Sequence, residues 1–187
     1  MVVGRVSAVP PVRLVESAVL VPFVRGAAGE WRVVVIRRTP GGAHSGQLAF
    51  PGGRVDEGDA SPLDTALREA WEEIGLPRER VRVLTELPRI ETRSTGFAIT
   101  PFLAIAERPV AWAPAAAEVA EILEPSLAEL RAPEARAHAD DLLPAGWEAV
   151  RLPYFSIGGH RLWGASERIL HPLLQRIATG EWVELLD

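Results

Sequence analysis

The chain has 187 residues, 48% hydrophobic, 24% charged and 6% aromatic, with a formal net charge of -5 and a pI near 5.5. That size and balance fit one globular domain over residues 1–187, with one sizeable core. The excess of acid, without any long block of like charge, excludes a general nucleic-acid-binding surface, and the absence of cysteine excludes disulfides, thiolate metal sites and a cysteine nucleophile.

The first apolar run, at 18–24, is interrupted by Pro22 and is too short to span a membrane. No long apolar core with a small-residue cleavage site precedes it, so a cytoplasmic protein without a membrane partner is expected. Val-rich runs at 16–24 and 31–37, separated by RGAAGE, predict an antiparallel hairpin. A short apolar piece at 47–50 stops at the turn Pro51-Gly52-Gly53. The best-specified helix follows: Ser61 can cap it, Pro62 suits its first position, and Asp64 lies three residues after the cap. Leu63, Ala66, Leu67, Ala70 and Ile74 then recur at the spacing of a buried stripe, and Gly75 and Pro77 end the helix. Further strands are expected at 81–87, 97–106 and 118–123, a short helix at 126–130, and an amphipathic helix at 164–178 through Ile169, Leu170, Leu173, Leu174 and Ile177. Strands and helices mixed without a regular βα repeat favour an α+β sheet covered by helices. Trp31, Trp163 and Trp182 read as core or packing residues.

The predicted helix carries Arg68, Glu69, Glu72 and Glu73. Helical geometry sets Glu69 beside both Glu72 and Glu73, and like charges at that spacing destabilise by roughly 0.2–0.5 kcal/mol per pair. Two readings are open. The acidic face is solvated for solubility, or it holds a hard divalent cation, Mg²⁺ or Mn²⁺, which takes oxygen ligands. The glycine turn just before the helix can offer a backbone carbonyl to the same ion.

This stretch resembles the signature box of the Nudix hydrolases, G-x5-E-x7-R-E-U-x-E-E-x-G-U, where U is aliphatic. Counting forwards from Gly53 reaches Asp59 where the box has Glu, whereas counting back from Arg68 reaches Ala60. A one-residue lengthening between Asp59 and Ser61 reconciles the counts, with Asp59 standing in for the first Glu. REAWEEIGL, from Arg68 to Leu76, fits every fixed position, with Ala70 in the aliphatic slot. SGQLAFPGGRVDEGD, STGFAITPFLAI and LPYFSIGGHRLWGASERIL resemble the coenzyme A pyrophosphatase subgroup, whose upstream signature is L-L-T-x-R-[SA]-x3-R-x3-G-x3-F-P-G-G. Arg37, Gly46, Phe50, Pro51, Gly52 and Gly53 match it, and Val33 and Val34 are conservative for its leucines. Val35, Arg38 and Gly42 depart from it; Arg38 is close enough in sequence to substitute for the arginine missing at Gly42.

The resemblance implies a Nudix-type α/β/α sandwich with a mixed central sheet. It also implies hydrolysis of a pyrophosphate that links a nucleoside to another group, with coenzyme A giving 4′-phosphopantetheine and adenosine 3′,5′-bisphosphate. The departures keep ADP-ribose, NADH and dinucleoside polyphosphates open as substrates. A non-catalytic nucleotide-binding module is disfavoured, because the box carboxylates are retained. Glu69, Glu72, Glu73 and the Gly53 carbonyl are the implied metal ligands, and Asp59 and Arg68 the implied orienting ion pair. The general base falls to Glu69, Glu73 or Glu118, the last with Glu121 as a neighbour. Arg37 is the first choice for a phosphate contact, since a guanidinium pairs bidentately with phosphate oxygens. Arg38 and His44 are further pocket residues. His44, His138, His160 and His171 show no zinc-site spacing. An apolar carboxyl-terminal helix, or the stretch 107–150, offers a surface for a homodimer.

Overall fold

Residues 15–25 carry apolar side chains at odd and even positions alike, so an extended conformation must be covered on both faces. The computed structural model describes residues 14–41, 45–92, 95–142, 151–182 and 185, and in it this segment is β1 (Val15–Arg25) at the centre of a six-stranded mixed sheet. β1 runs parallel to β8 (Phe97–Ala106), from Val15 opposite Phe97 to Phe23 opposite Ile105. On its other edge β1 pairs antiparallel with β2 (Trp31–Val33) and, nearer its start, with β5 (Gly52–Arg54). β6 (Val81–Glu86) and β7 (Ile90–Glu91) add antiparallel partners to β8.

The predicted hairpin through RGAAGE forms, but its second arm is not one strand. Trp31–Val33 stays on β1, and the chain then leaves at Val34, whose N–H bonds to the Pro22 carbonyl at 2.9 Å. β3 (Val35–Arg38) pairs instead with β4 (Leu48–Ala49) and β9 (Val119–Leu123). Val33, Val34, Val35 and Ile36 are all fully buried, so no polar residue marks where the strand changes sheets. A third sheet, β10 (Arg136–Ala139), β11 (Leu152–Ile157) and β12 (His160–Trp163), extends the expected set of strands. The β11–β12 turn is Gly158-Gly159 with φ of 56° and 79°, a pair of left-handed residues that suits a two-residue hairpin.

Helices cover both faces of the sheet. α1 (Pro62–Ile74) buries Ala66, Leu67, Ala70 and Ile74 against Ala18, Leu20, Val24 and Ala104. α2 (Leu127–Arg131) and α3 (Ala165–Ala178) pack against the other side, where Leu127, Leu130, Leu170 and Leu173 meet Val21, Phe23 and Leu103. The alternation of Leu20 and Val21 along β1 thus separates two apolar layers, and the architecture is an α/β/α sandwich of α+β class. Each fully buried Leu, Ile or Phe contributes about 1.5–3 kcal/mol, so these layers, rather than helix propensity, hold the helices in place.

Local signals fix the ends of α1. Ser61 Oγ accepts the Asp64 N–H at 3.2 Å, and Gly75 adopts φ 69° at the carboxyl end. α3 is tied to β10 by Arg136 Nε, 2.8 Å from Glu167 Oε1, whose side chain is 4% exposed. No helix among the described residues is long and apolar enough to cross a membrane. Removing the guanidinium leaves Glu167 without its cation, so Arg136→Ala is expected to cost about 2 kcal/mol and Glu167→Gln less, as urea unfolding would show.

Candidate active site

The Pro51-Gly52-Gly53 turn feeds directly into β5, where Gly53 pairs with Ala18 and Gly52 with Val19. Both glycines are closely flanked, Gly52 by the backbone of β1 and Gly53 by a side chain of α1. A Cβ on Gly52, at φ 156°, would run into the Ala18 carbonyl, and one on Gly53 would collide with the Glu69 carboxylate.

Glu73 occupies the interface between α1 and this turn, with its side chain only 2% exposed. Its Oε2 accepts the Gly52 N–H at 2.9 Å. Arg38 Nη2 is 3.6 Å from Oε1 and donates to the Gly52 carbonyl at 3.3 Å, so the guanidinium bridges carboxylate and turn. Burial pushes the Glu73 pKa up to about 7; the Gly52 N–H and Arg38 oppose the rise, and the charges of Glu69 and Glu118 add to it.

Arg68 is the second hub. Its Nε and Nη2 donate to the two Asp59 oxygens at 2.9 and 3.0 Å, and its Nη1 donates to Glu69 and Glu72 at 3.0 and 2.9 Å. The Arg68 bond holds Asp59 well below the usual carboxylate range despite its burial. The extra box residue is accommodated between Asp59 and the Ser61 cap, and Asp59 still reaches Thr65 Oγ1 at 2.7 Å and Arg68. Glu69 is raised first by burial; Arg68 lowers it, and Glu72 and Glu118 raise it. One guanidinium therefore serves several carboxylates.

Glu118 is exposed, immediately before β9, and its charge acts on Glu69 and Glu73 from outside α1. Arg37 is placed differently from Arg38: its Nε donates to Glu121 at 3.0 Å, and His160 lies 3.6 Å from the same oxygen. His44 and Gly42 lie outside the described residues. The site also depends on the backbone of Ala115, which donates to the Glu73 carbonyl at 3.0 Å. No side-chain pattern announces a main-chain bond of this kind. Shallow surface depressions lie between Arg25, Trp31 and Arg80, and between Leu67, Trp71 and Arg78; the latter reaches Asp59 and Arg68 but not Glu69, Glu72 or Glu73.

The donors suit a hard divalent cation in kind: oxygen ligands only, one of them buried, with pKa values raised at Glu69 and Glu73 that a dication would relieve. A closed coordination set is not assembled, since no three such side chains among the described residues converge on one point. Arg68 engages Glu69 and Glu72, while Glu73 is bonded to Gly52.

Residues 15–145 match the NUDIX domain family model. Over 171 residues the chain is 34% identical to the uncharacterized Nudix hydrolase NudL of Salmonella paratyphi B, covering 87% of this chain and 82% of the relative. A MutT/nudix family protein from Enterococcus faecalis superposes with a TM-score of 0.55 at 17% identity, over 92% of this chain and 66% of the other. An Ap4A hydrolase binary complex from C. elegans gives 0.52 at 20%, over 62% and 82%. The chain belongs to the Nudix family and is a Nudix pyrophosphatase.

The raised Glu73 pKa has a definite sign in stability. Its folded value lies above the ordinary 4.5, so the group's contribution is fully present below about pH 4.5 and is lost as pH rises towards about 7. For a side chain this buried the loss is on the order of 3 kcal/mol. Metal-free protein should therefore be less stable at about pH 8 than at about pH 5, and Glu73→Gln should flatten the difference in urea unfolding.

Proposed function

We propose that the chain hydrolyses the pyrophosphate of a small nucleotide-type substrate, and coenzyme A first, to 4′-phosphopantetheine and adenosine 3′,5′-bisphosphate. The observation that carries this reading is the seating of the Glu73 and Glu69 carboxylates against the Gly52-Gly53 turn, in a chain that keeps the glutamates of the box. The upstream signature supports coenzyme A through Arg37, Gly46 and Phe50-Pro51-Gly52-Gly53. Its departures at Val35, Arg38 and Gly42 favour a second reading, in which ADP-ribose, NADH or a dinucleoside polyphosphate is cleaved instead.

Glu69, Glu72, Glu73 and the Gly53 carbonyl are the residues that would hold Mg²⁺ or Mn²⁺. Such an ion, when bound, neutralises pyrophosphate oxygens and acidifies water. The chain's own groups supply the rest. Asp59 fixes Arg68, and Arg68 orients Glu69 and Glu72. Arg38, partly exposed and beside the turn that meets the box glutamates, is better placed than Arg37, whose guanidinium pairs with Glu121 on β9, to meet a phosphate there. Glu118 is the preferred general base: it is solvent-exposed, whereas Glu73 is committed to the Gly52 N–H and Glu69 to Arg68. We read residues 1–187 as one Nudix domain, since α3 and β11–β12 share the apolar layer under β1.

A product assay with Mg²⁺ or Mn²⁺, offering coenzyme A, ADP-ribose, NADH and a diadenosine polyphosphate in parallel, tests the substrate. Adenosine 3′,5′-bisphosphate from coenzyme A is the expected product; preferential cleavage of another compound would establish the second reading. Glu72→Gln and Glu73→Gln are expected to lower kcat by about 100-fold or more with the fold intact, and Asp59→Ala by less. Near-normal turnover in either glutamine variant would refute the ligand assignment.

A further inference from the structure

Residues 107–118 connect β8 to β9 without regular structure, yet hydrogen bonds pin the segment at several points. The last carbonyls of a helix need donors from outside it. Here Ala113 N–H donates to the Ile74 carbonyl at 3.2 Å, and Ala115 N–H to the Glu73 carbonyl at 3.0 Å. Gly75 is part of the same fit, since a Cβ there would press on the Ala113 methyl. The Ala115 carbonyl then accepts the N–H groups of Glu118 and Val119, both at 2.8 Å. The turn that presents Glu118 is therefore closed on the residue bonded to the Glu73 backbone. Thr39, just past β3, holds the turn from the other side: its N–H donates to the Glu118 carbonyl at 2.9 Å and its Oγ1 to the Ala117 carbonyl at 2.8 Å.

Two side chains of the segment, Arg108 and Trp112, also hold it through Glu124. From Pro109 to Ala117 only Trp112 carries a side-chain polar atom, and Val110 is fully exposed and anchors nothing. Trp112 packs against the apolar layer under α1, and its Nε1 donates to Glu124 Oε1 at 2.6 Å. Glu124 is itself immobilised, 14% exposed, by a two-point pair with Arg108 at 2.7 and 2.9 Å and by Arg32 Nη1 on its backbone carbonyl at 2.7 Å. Ala113 follows Trp112 directly, so the indole sets the register in which the Ala113 and Ala115 amides meet α1.

We propose that Trp112, anchored on Glu124, is a positioning residue that locks residues 107–118 onto the carboxyl end of α1 and so fixes the turn that carries Glu118. The inference rests on the reading that Glu118 takes part in hydrolysis. Trp112 touches no reacting atom; it acts through the loop.

The test compares wild type, Trp112→Phe, Glu118→Gln and the double variant with coenzyme A and Mg²⁺, alongside amide hydrogen exchange at Ala113 and Ala115. Phenylalanine keeps the packing and removes the donor. We expect kcat to fall about tenfold with KM changed less than about twofold, exchange at both amides to accelerate, and no further loss when Trp112→Phe is added to Glu118→Gln. Multiplicative losses in the double variant, or unaltered kcat and exchange in Trp112→Phe, would overturn the positioning role. Wild-type turnover in Glu118→Gln would instead remove Glu118 from the reaction and the positioning role with it, whereas cleavage of the other substrates but not coenzyme A would revise only the substrate. Should Trp112→Phe fail to fold, Glu124→Leu, which removes the indole's acceptor, is expected to show the same kcat-only pattern; unchanged kcat there, in folded protein, would also overturn the role.

Discussion

The constraint on which the rest of this structure depends is a carboxylate placed where water cannot reach it. Glu73 lies in the seam between α1 and β5, and a charge in such a place is costly unless hydrogen bonds replace its hydration. The Gly52 amide and Arg38 supply part of that replacement, and in doing so they fix how far α1 sits from the sheet edge. At that separation a Cβ on Gly53 would meet the Glu69 carboxylate, which would have to swing aside. A glycine turn, a helix register and a buried acid are thus one structural element, and none of the three can change alone.

Arg68 addresses the complementary problem. Four acidic residues, Asp56, Asp59, Glu69 and Glu72, lie within ion-pairing distance of it, and their mutual repulsion would otherwise splay the first half of the helix from the loop that precedes it. The pairing is unequal. Asp59 receives two short bonds and stays ionised, while Glu69 shares Nη1 with Glu72 and, being partly buried, keeps a raised pKa. The uncompensated negative charge accumulates where α1 faces β5 and Glu118, and there an oxygen-seeking cation would be stabilised most.

Much of this was legible in the sequence, because the signals were local. Ser61, Pro62 and Gly75 delimit α1 as cap, first-turn and left-handed residues, and the spacing of Ala66, Leu67, Ala70 and Ile74 gives its buried side. The displaced Asp59 could be placed by counting, since its partner Arg68 lies in the intact half of the box. Illegible features were those made by distant backbone. The switch of strand at Val34 leaves no mark in a run of four buried aliphatic residues, because either sheet would bury them equally. The bonds from Ala113 and Ala115 to α1 involve residues with no polar side-chain atoms. The β11–β12 hairpin is intermediate: its Gly158-Gly159 turn is a readable signal.

The two stretches of sequence resemblance fall on different parts of the fold. The box glutamates lie on α1 beside β5, where Glu73 bonds to Gly52 and Arg68 to Glu69. The departures from the coenzyme A signature fall instead on β3 and the residues just after it. There Arg37 is paired with Glu121 on β9, and His160 on β12 approaches the same carboxylate. Arg37, Glu121 and His160 at that edge are partly exposed and approach one another, whereas Val35 is fully buried and Arg38 reaches the buried acid itself. A change at position 38 therefore reaches Glu73 as well as the strand edge, whereas Arg37 and Glu121 can be exchanged without touching the buried acid.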